Sequence, residues 1–228
     1  MEQIMQKYGS IAFVDTEISA ASVHTDGPKS IFQVINRKGL TWSGSKLIIA
    51  SGTKDILPNI PGYKELWGRG IVHCLFCDGY DRKGGRVGIL GLENHDDLTT
   101  LLMSFQLAED GVTVFTNGQA APKDVELQQI FNTASARGAT FDDREIQSFT
   151  ETPNGDEILI HFKNGAGEVV RMILSTPPSV NRAENLISSL KIETHSPTYG
   201  HVVTKGMLGE TSLQGCFVAG DTSTSAKR

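Results

Sequence analysis

The sequence predicts an α/β protein in two units, on three observations. A strand–helix–strand succession runs from Val87 to Phe115, and parallel neighbouring strands are its usual consequence. A Pro-rich passage, Leu57-Pro58-Asn59-Ile60-Pro61-Gly62, separates that succession from a strand-rich opening. After Thr176-Pro177-Pro178 the rhythm changes again to short apolar runs, as though the chain returned to the unit it had left.

The bulk properties set the frame. There are 228 residues, with 21 Lys and Arg against 26 Asp and Glu and a formal charge of -5. That length can bury a large core in one domain or in two small ones. An apolar content of 39% without a dominant residue type excludes a disordered or fibrous chain. The acidic balance, with no long Lys/Arg cluster, argues against nucleic acid or an anionic membrane as partner. No apolar stretch approaches the roughly 18 residues of a membrane span. The opening Met1-Glu2-Gln3-Ile4-Met5-Gln6-Lys7 lacks the basic flank and apolar core of a secretory signal, so a cytoplasmic location is expected. Three cysteines, an odd count, do not make a disulfide framework.

Taken in order, Ile11 to Ala21 and Ile31 to Asn36 read as strands around the turn cluster Thr25-Asp26-Gly27-Pro28. Arg37-Lys38-Gly39 makes a second turn before Leu40 to Trp42, and Lys46 to Ala50 is a short core strand. In the middle, Val87 to Leu90 and Val112 to Phe115 are strands flanking a helix over Asp97 to Glu109. Lys123 to Arg137 carries Leu127, Ile130, Phe131 and Ala134 on one helical face and ends at a capping Gly138. Ile146 to Phe149, Ile158 to Phe162 and Val169 to Leu174 are strands, the last two joined by an Asn164-Gly165 hairpin signal. A short helix over Asn181 to Leu190, a strand over His201 to Thr204 and an apolar strand ending in Gly220-Asp221 complete the reading.

The sharpest chemical signal is His73-Cys74-Leu75-Phe76-Cys77-Asp78-Gly79-Tyr80. Two thiols two residues apart can close a small disulfide, one attacking as thiolate while the other resolves the mixed disulfide. Asp78 or His73 could move the proton this chemistry gains and loses. Half of a zinc site is the alternative, but it needs two more ligands, and no second CxxC exists to join Cys216 and the six histidines. No metal is expected. The turn after the first strand of the βαβ unit reads Gly91-Leu92-Glu93-Asn94-His95, which keeps one glycine and puts a carboxylate where a dinucleotide's phosphates would sit. Thr116-Asn117-Gly118, after the next strand, offers neither an arginine for a 2'-phosphate nor an acid for a ribose hydroxyl. Gly220-Asp221 places a carboxylate at a strand tip, where α/β ligand sites collect.

In this order, Ile49-Ala50-Ser51-Gly52, Pro61-Gly62, the CxxC with Asp78, the βαβ unit and Gly215 to Asp221 resemble the low-molecular-weight thioredoxin reductase family of flavoproteins. Within it, Trp67-Gly68-Arg69-Gly70 and His73 to Tyr80 resemble the fungal gliotoxin-type dithiol oxidases of secondary metabolism. The resemblance implies a Rossmann-like thiol domain (63-175) inserted in an FAD-binding domain made of 1-62 and 176-228. It implies that Cys77 faces the flavin, Cys74 exchanges with substrate and Asp78 transfers protons. Ala50, Ser51, Gly52, Gly220 and Asp221 would bind FAD, with Asp221 at the ribityl chain. The family opens with a GxGxxG turn and closes with a helix over the flavin, and neither precedes Gln3 nor follows Asp221. The expectation is a chain truncated at both ends, with an incomplete FAD sheet. The implied reaction is oxidation of a small-molecule dithiol to a disulfide, with FAD as cofactor, oxygen as acceptor, no NADPH, and a homodimer as the assembly. Two alternatives stand beside it: an NADPH-dependent disulfide reductase, and an inactive remnant unable to hold FAD.

Overall fold

The computed structural model describes residues 2–26, 29–92, 97–120, 122–195 and 200–224. The chain divides into two compact units, Met1–Lys54 with Ser179–Lys227, and Asp55–Pro178.

The first unit begins with a short helix α1 (Glu2–Lys7), which the sequence did not announce. Strands β1 (Ile18–Asp26), β2 (Lys29–Asn36) and β3 (Thr41–Gly44) follow as an antiparallel meander. The expected strand from Ile11 starts instead at Ile18, because the apolar run through Phe13 and Val14 finds no pairing strand among the described residues and lies exposed. Strands β4 (Leu47–Ile49) and β5 (Thr53–Asp55) complete this stretch.

The second unit opens with α2 (Tyr63–Leu66) and β6 (Ile71–Val72). The Pro-rich passage read as a crossover between domains lies inside this unit. Pro61 accepts a hydrogen bond from the Phe149 N–H, Leu57 and Ile60 pack on the core around Tyr63, and Gly62 meets the Phe149 carbonyl so closely that a Cβ would sit 1.9 Å from it. Strand β7 (Val87–Leu90), helix α3 (Asp97–Leu107) and strand β8 (Val112–Phe115) form the expected βαβ unit. Helix α4 (Val125–Ala136) is started by Asp124, whose Oδ1 accepts the N–H groups of Glu126 and Leu127. It is stopped by Gly138 at φ +88°, with the Gly138 and Ala139 N–H groups returning to Ser135 and Ala134.

Strands β9 (Thr140–Asp142), β10 (Ile146–Glu151), β11 (Ile158–Phe162), β12 (Gly167–Val170) and β13 (Met172–Leu174) follow. The single strand expected over Val169 to Leu174 is thus two. At Arg171 the chain leaves the antiparallel sheet β10-β11-β12 and joins a parallel sheet ordered β6-β13-β7-β8-β9. Met172, Ile173 and Leu174 are all buried, as are Val87, Ile89, Val112 and Val114. Such continuous apolar runs mark a sheet covered on both faces. One core joins it to α3 and α4, and a second joins it to β10, β11 and β12. In β11, Ile158, Ile160 and Phe162 are buried in alternation, the period of a half-covered strand.

Back in the first unit, β14 (Ser179–Asn181) pairs with β5, helix α5 (Glu184–Ser189) packs on β1, and β15 (Cys216–Val218) pairs with β4 in parallel. His201 to Thr204 is not a strand, since its pairing is reduced to one bridge between Val202 and Thr194.

Candidate functional site

Strand β6 is completely buried, and its C-terminal end delivers His73 and Cys74 to the edge of the parallel sheet. Leu75–Gly79 then form one π-helical turn, which begins at Cys74. The turn folds this way because its two faces differ. Leu75 is buried in the core beneath α3, and Gly79 lies so close to Leu107 that a Cβ there would come within 2.7 Å of that side chain. Phe76, Cys77 and Tyr80 point away into solvent, and Cys74 is half-buried.

The Cys77 N–H donates to Cys74 Sγ at 3.1 Å, the Asp78 N–H donates to the Cys74 carbonyl, and the two sulfurs are bonded as a disulfide with the Cα atoms 5.3 Å apart. A backbone N–H aimed at Cys74 Sγ stabilises that sulfur as a thiolate once the bond opens. Asp78 is half-buried, and His73 lies against Trp67, ring centroids 5.9 Å apart, with Trp67 in turn stacked on Tyr63. Among the described residues no hydrogen bond joins Asp78 or His73 to either sulfur. Sequence order brings these four residues together, and the structure links the two cysteines by the disulfide and by the Cys77 N–H on Cys74 Sγ. Trp67 is a contact that sequence reasoning did not assign; its position six residues before His73 gave no periodic signal.

The residues expected at FAD collect in the first unit, at the C-terminal ends of the parallel pair β4 and β15. The Ala219 N–H donates to the Ile49 carbonyl, the Gly52 N–H to Thr222 Oγ1, and the Arg182 N–H to the Gly52 carbonyl. Gly52 and Gly220 both have positive φ, 69° and 65°, and a Cβ on either would meet nothing within 4 Å. Open space therefore faces both glycines, which leaves room for a ligand beside them. Asp221, half-buried, follows at the start of a 3₁₀ turn. Ala50 and Ser51 line a cavity of about 500 Å³ with Ile48, Arg182 and Leu186, whereas Gly52, Gly220 and Asp221 do not border it. Thr222 is the residue that sequence reasoning missed; its hydroxyl ties the two strand tips together. For FAD the fit is partial. A carboxylate and two open glycines suit a chain of hydroxyls, but no GxGxxG for the pyrophosphate occurs in the sequence.

Cys216 is buried in β15, and burial pushes its thiol pKa up. It is a packed side chain and not a third redox thiol. Among the described residues no cluster of His, Cys, Asp and Glu could hold a metal.

The crevice where a nicotinamide dinucleotide would sit opens at the ends of β7, β8 and β13. It measures about 170 Å³ and is lined by Gly91, Phe115, Thr116, Asn117 and Ser175, with no Lys or Arg among the described lining residues. Such ligands occupy sites of roughly 300–1,000 Å³. Asn117 uses its Oδ1 to accept the Ile146 N–H. The Asp97 carboxylate, 5% exposed, accepts a hydrogen bond from Thr176 beside Gly91. Glu93, expected to bring a carboxylate to the phosphate position, lies outside the described residues.

No family model matches the chain. Thioredoxin reductase tcpT of Claviceps purpurea is 33% identical over 231 residues, covering 99% of this chain and 68% of that protein. Thioredoxin reductase sirT of Leptosphaeria maculans is 28% identical over 99% of this chain and 69% of its own length. The chain therefore spans about two thirds of these relatives. Among solved structures, HlmI superposes with a TM-score of 0.82 at 22% identity, over 96% of this chain and 65% of that one. An oxidoreductase from Agrobacterium tumefaciens gives 0.82 at 23% identity, over 99% and 71%. These structural likenesses carry the two-unit α/β fold. No helix among the described residues is long and apolar enough to cross a membrane.

Proposed function

The chain belongs to the thioredoxin reductase family, and from that premise we propose that it is an FAD-dependent thiol–disulfide oxidoreductase that oxidises a small-molecule dithiol to a disulfide. The observation that carries this reading is the Cys74–Cys77 disulfide, held on a buried strand end with Cys77 open to solvent.

In the proposed reaction a substrate thiolate attacks Cys74 Sγ and the Cys74–Cys77 bond breaks, leaving Cys77 as thiolate. The second substrate thiol then attacks its own mixed disulfide and releases Cys74. The substrate has lost two electrons and two protons, and both cysteines are reduced. The N–H of Cys77 stabilises the departing Cys74 thiolate, and Asp78 or His73 handles the protons. Gly52, Gly220 and Asp221 would hold the FAD hydroxyl chain, with Ala50 and Ser51 beside them. FAD held there would supply the two-electron acceptor for the reduced cysteine pair, and oxygen is the proposed final acceptor. The small crevice at Gly91, with no Lys or Arg among its described lining residues, supports oxygen over NADPH as the redox partner. A cytoplasmic setting fits dithiol chemistry that must begin from reduced thiols.

The second reading, an NADPH-dependent disulfide reductase, is favoured by the names of the relatives. An absorbance spectrum of the chain with FAD, followed by oxygen and NADPH consumption with a dithiol and with a protein disulfide, separates the readings. Dithiol-dependent oxygen uptake by a yellow complex is expected. Rapid NADPH oxidation would establish the reductase instead, and a protein that stays colourless would sink both.

A further inference from the structure

We propose that Phe76 is the specificity element of the thiol site, a surface that receives the apolar, and best the aromatic, face of a small dithiol substrate. The inference rests on the reading of the chain as an oxidant of small dithiols.

Exchange requires a substrate sulfur to bond to Cys74 or Cys77, so any substrate must stand over the exposed side of the turn that carries them. Phe76 lies between the two cysteines and is 87% exposed. The turn does not need it for packing, because Leu75 and Gly79 already anchor the opposite face. Tyr80 is also exposed, but Lys83 Nζ lies 4.5 Å from its ring centroid and 3.4 Å from its hydroxyl. Phe76 has no such ring or cation contact among the described residues. Its apolar face is therefore available beside the reacting sulfurs, where a ring of the substrate can cover it. Local charge supports a small apolar occupant over a charged protein. Asp78 and Asp81 are balanced by Arg82 and Lys83, so the turn presents no single-sign patch to steer a macromolecule.

Single-turnover exchange tests this without FAD. The oxidised full chain is mixed with 1,2-benzenedimethanethiol or with dithiothreitol, and opening of the disulfide is followed by quenched alkylation and mass. The ratio of the two rate constants is compared between wild type, Phe76→Leu and Phe76→Ala, which cancels the intrinsic reactivity of each dithiol. Covering about half a phenyl ring should be worth about tenfold, so Phe76→Ala should lower the ratio about tenfold and Phe76→Leu by less. The dithiothreitol rate should stay within about twofold, since the exposed ring supports no fold contact. An unchanged ratio in Phe76→Ala would overturn the proposal while leaving the redox reading intact. So would a variant that slows exchange with reduced thioredoxin alone, which would mark Phe76 as a protein-docking residue. No exchange with either dithiol would overturn the redox reading and this inference together.

Discussion

The parallel sheet of the second unit and the parallel strand pair of the first present their candidate residues at the same place, the C-terminal ends of the strands, but on different local supports. The redox turn grows from a five-stranded sheet covered on both faces, and Val72, Leu75 and Gly79 pin it from below. Strands β4 and β15 also stand on a core, with Ile49, Cys216 and Val218 buried among Phe32, Ala183 and Ile187, but Gly52, beyond the end of β4, is held by hydrogen bonds to the Thr222 hydroxyl and from the Arg182 N–H. Ile48 of β4 is 66% exposed. The difference teaches how each site can work. Thiol exchange needs sulfurs fixed at bonding distance before the substrate arrives, and a packed core supplies that. A cofactor chain needs room and backbone groups, and in the proposed reading the open strand tip with its left-handed glycines would supply those.

The strongest way to break this comparison is at the sulfurs. Cys74→Ser or Cys77→Ser should lower dithiol-dependent oxygen uptake by about a thousandfold, since half of the exchange couple is gone. Residual activity within tenfold of wild type would place the chemistry elsewhere.

The packed and open regions should differ sharply in tolerance of a methyl group. Gly62→Ala forces a Cβ to 1.9 Å from the Phe149 carbonyl at φ +84° and should cost about 3 kcal/mol in urea unfolding. Gly52→Ala meets nothing within 4 Å and carries the left-handed penalty alone, about 1 kcal/mol. Equal costs would show that the two glycines are equally confined.

Alkaline titration sharpens it further. Burial pushes the Tyr63 hydroxyl up to about 12 from 10, with its hydrogen bond to Ser175 opposing the shift. Folding therefore favours the protonated phenol: the stabilisation is complete below pH 10 and is lost as pH rises through 12. The second unit should weaken across that window, and Tyr63→Phe should flatten the pH dependence, as fluorescence-monitored urea melts would show. The smallest effect is expected at Asp124→Ala. It removes the side-chain cap of α4 and should cost about 1 kcal/mol, with no change in thiol exchange.

Much of the second unit was legible because its signals are local. Val87 to Leu90 and Val112 to Phe115 are unbroken apolar runs, Asn164-Gly165 turns a hairpin, and Asp124 and Gly138 bracket a helix with a clear apolar stripe. The misreadings were tertiary. The run from Ile11 has strand composition without a partner, and composition says nothing of partners. Pro61-Gly62 has the look of a linker, yet its backbone is seated against β10. Val169 to Leu174 is one apolar run that serves two sheets, a division that a periodicity cannot display.

By itself the sequence determined the α/β class, the spacing of the two thiols and the pairing of Gly-rich strand ends with a carboxylate. These follow from residue type and separation along the chain, which need no neighbours to be read. The tertiary structure alone decided that Leu75 and Gly79 turn inward while Phe76 and Cys77 turn outward, and that Thr222 bridges the two strand tips. It also decided that Asp97 is buried beside the Gly91 crevice. Which side of a turn faces water depends on what packs against its other side, and those partners stand far away in sequence.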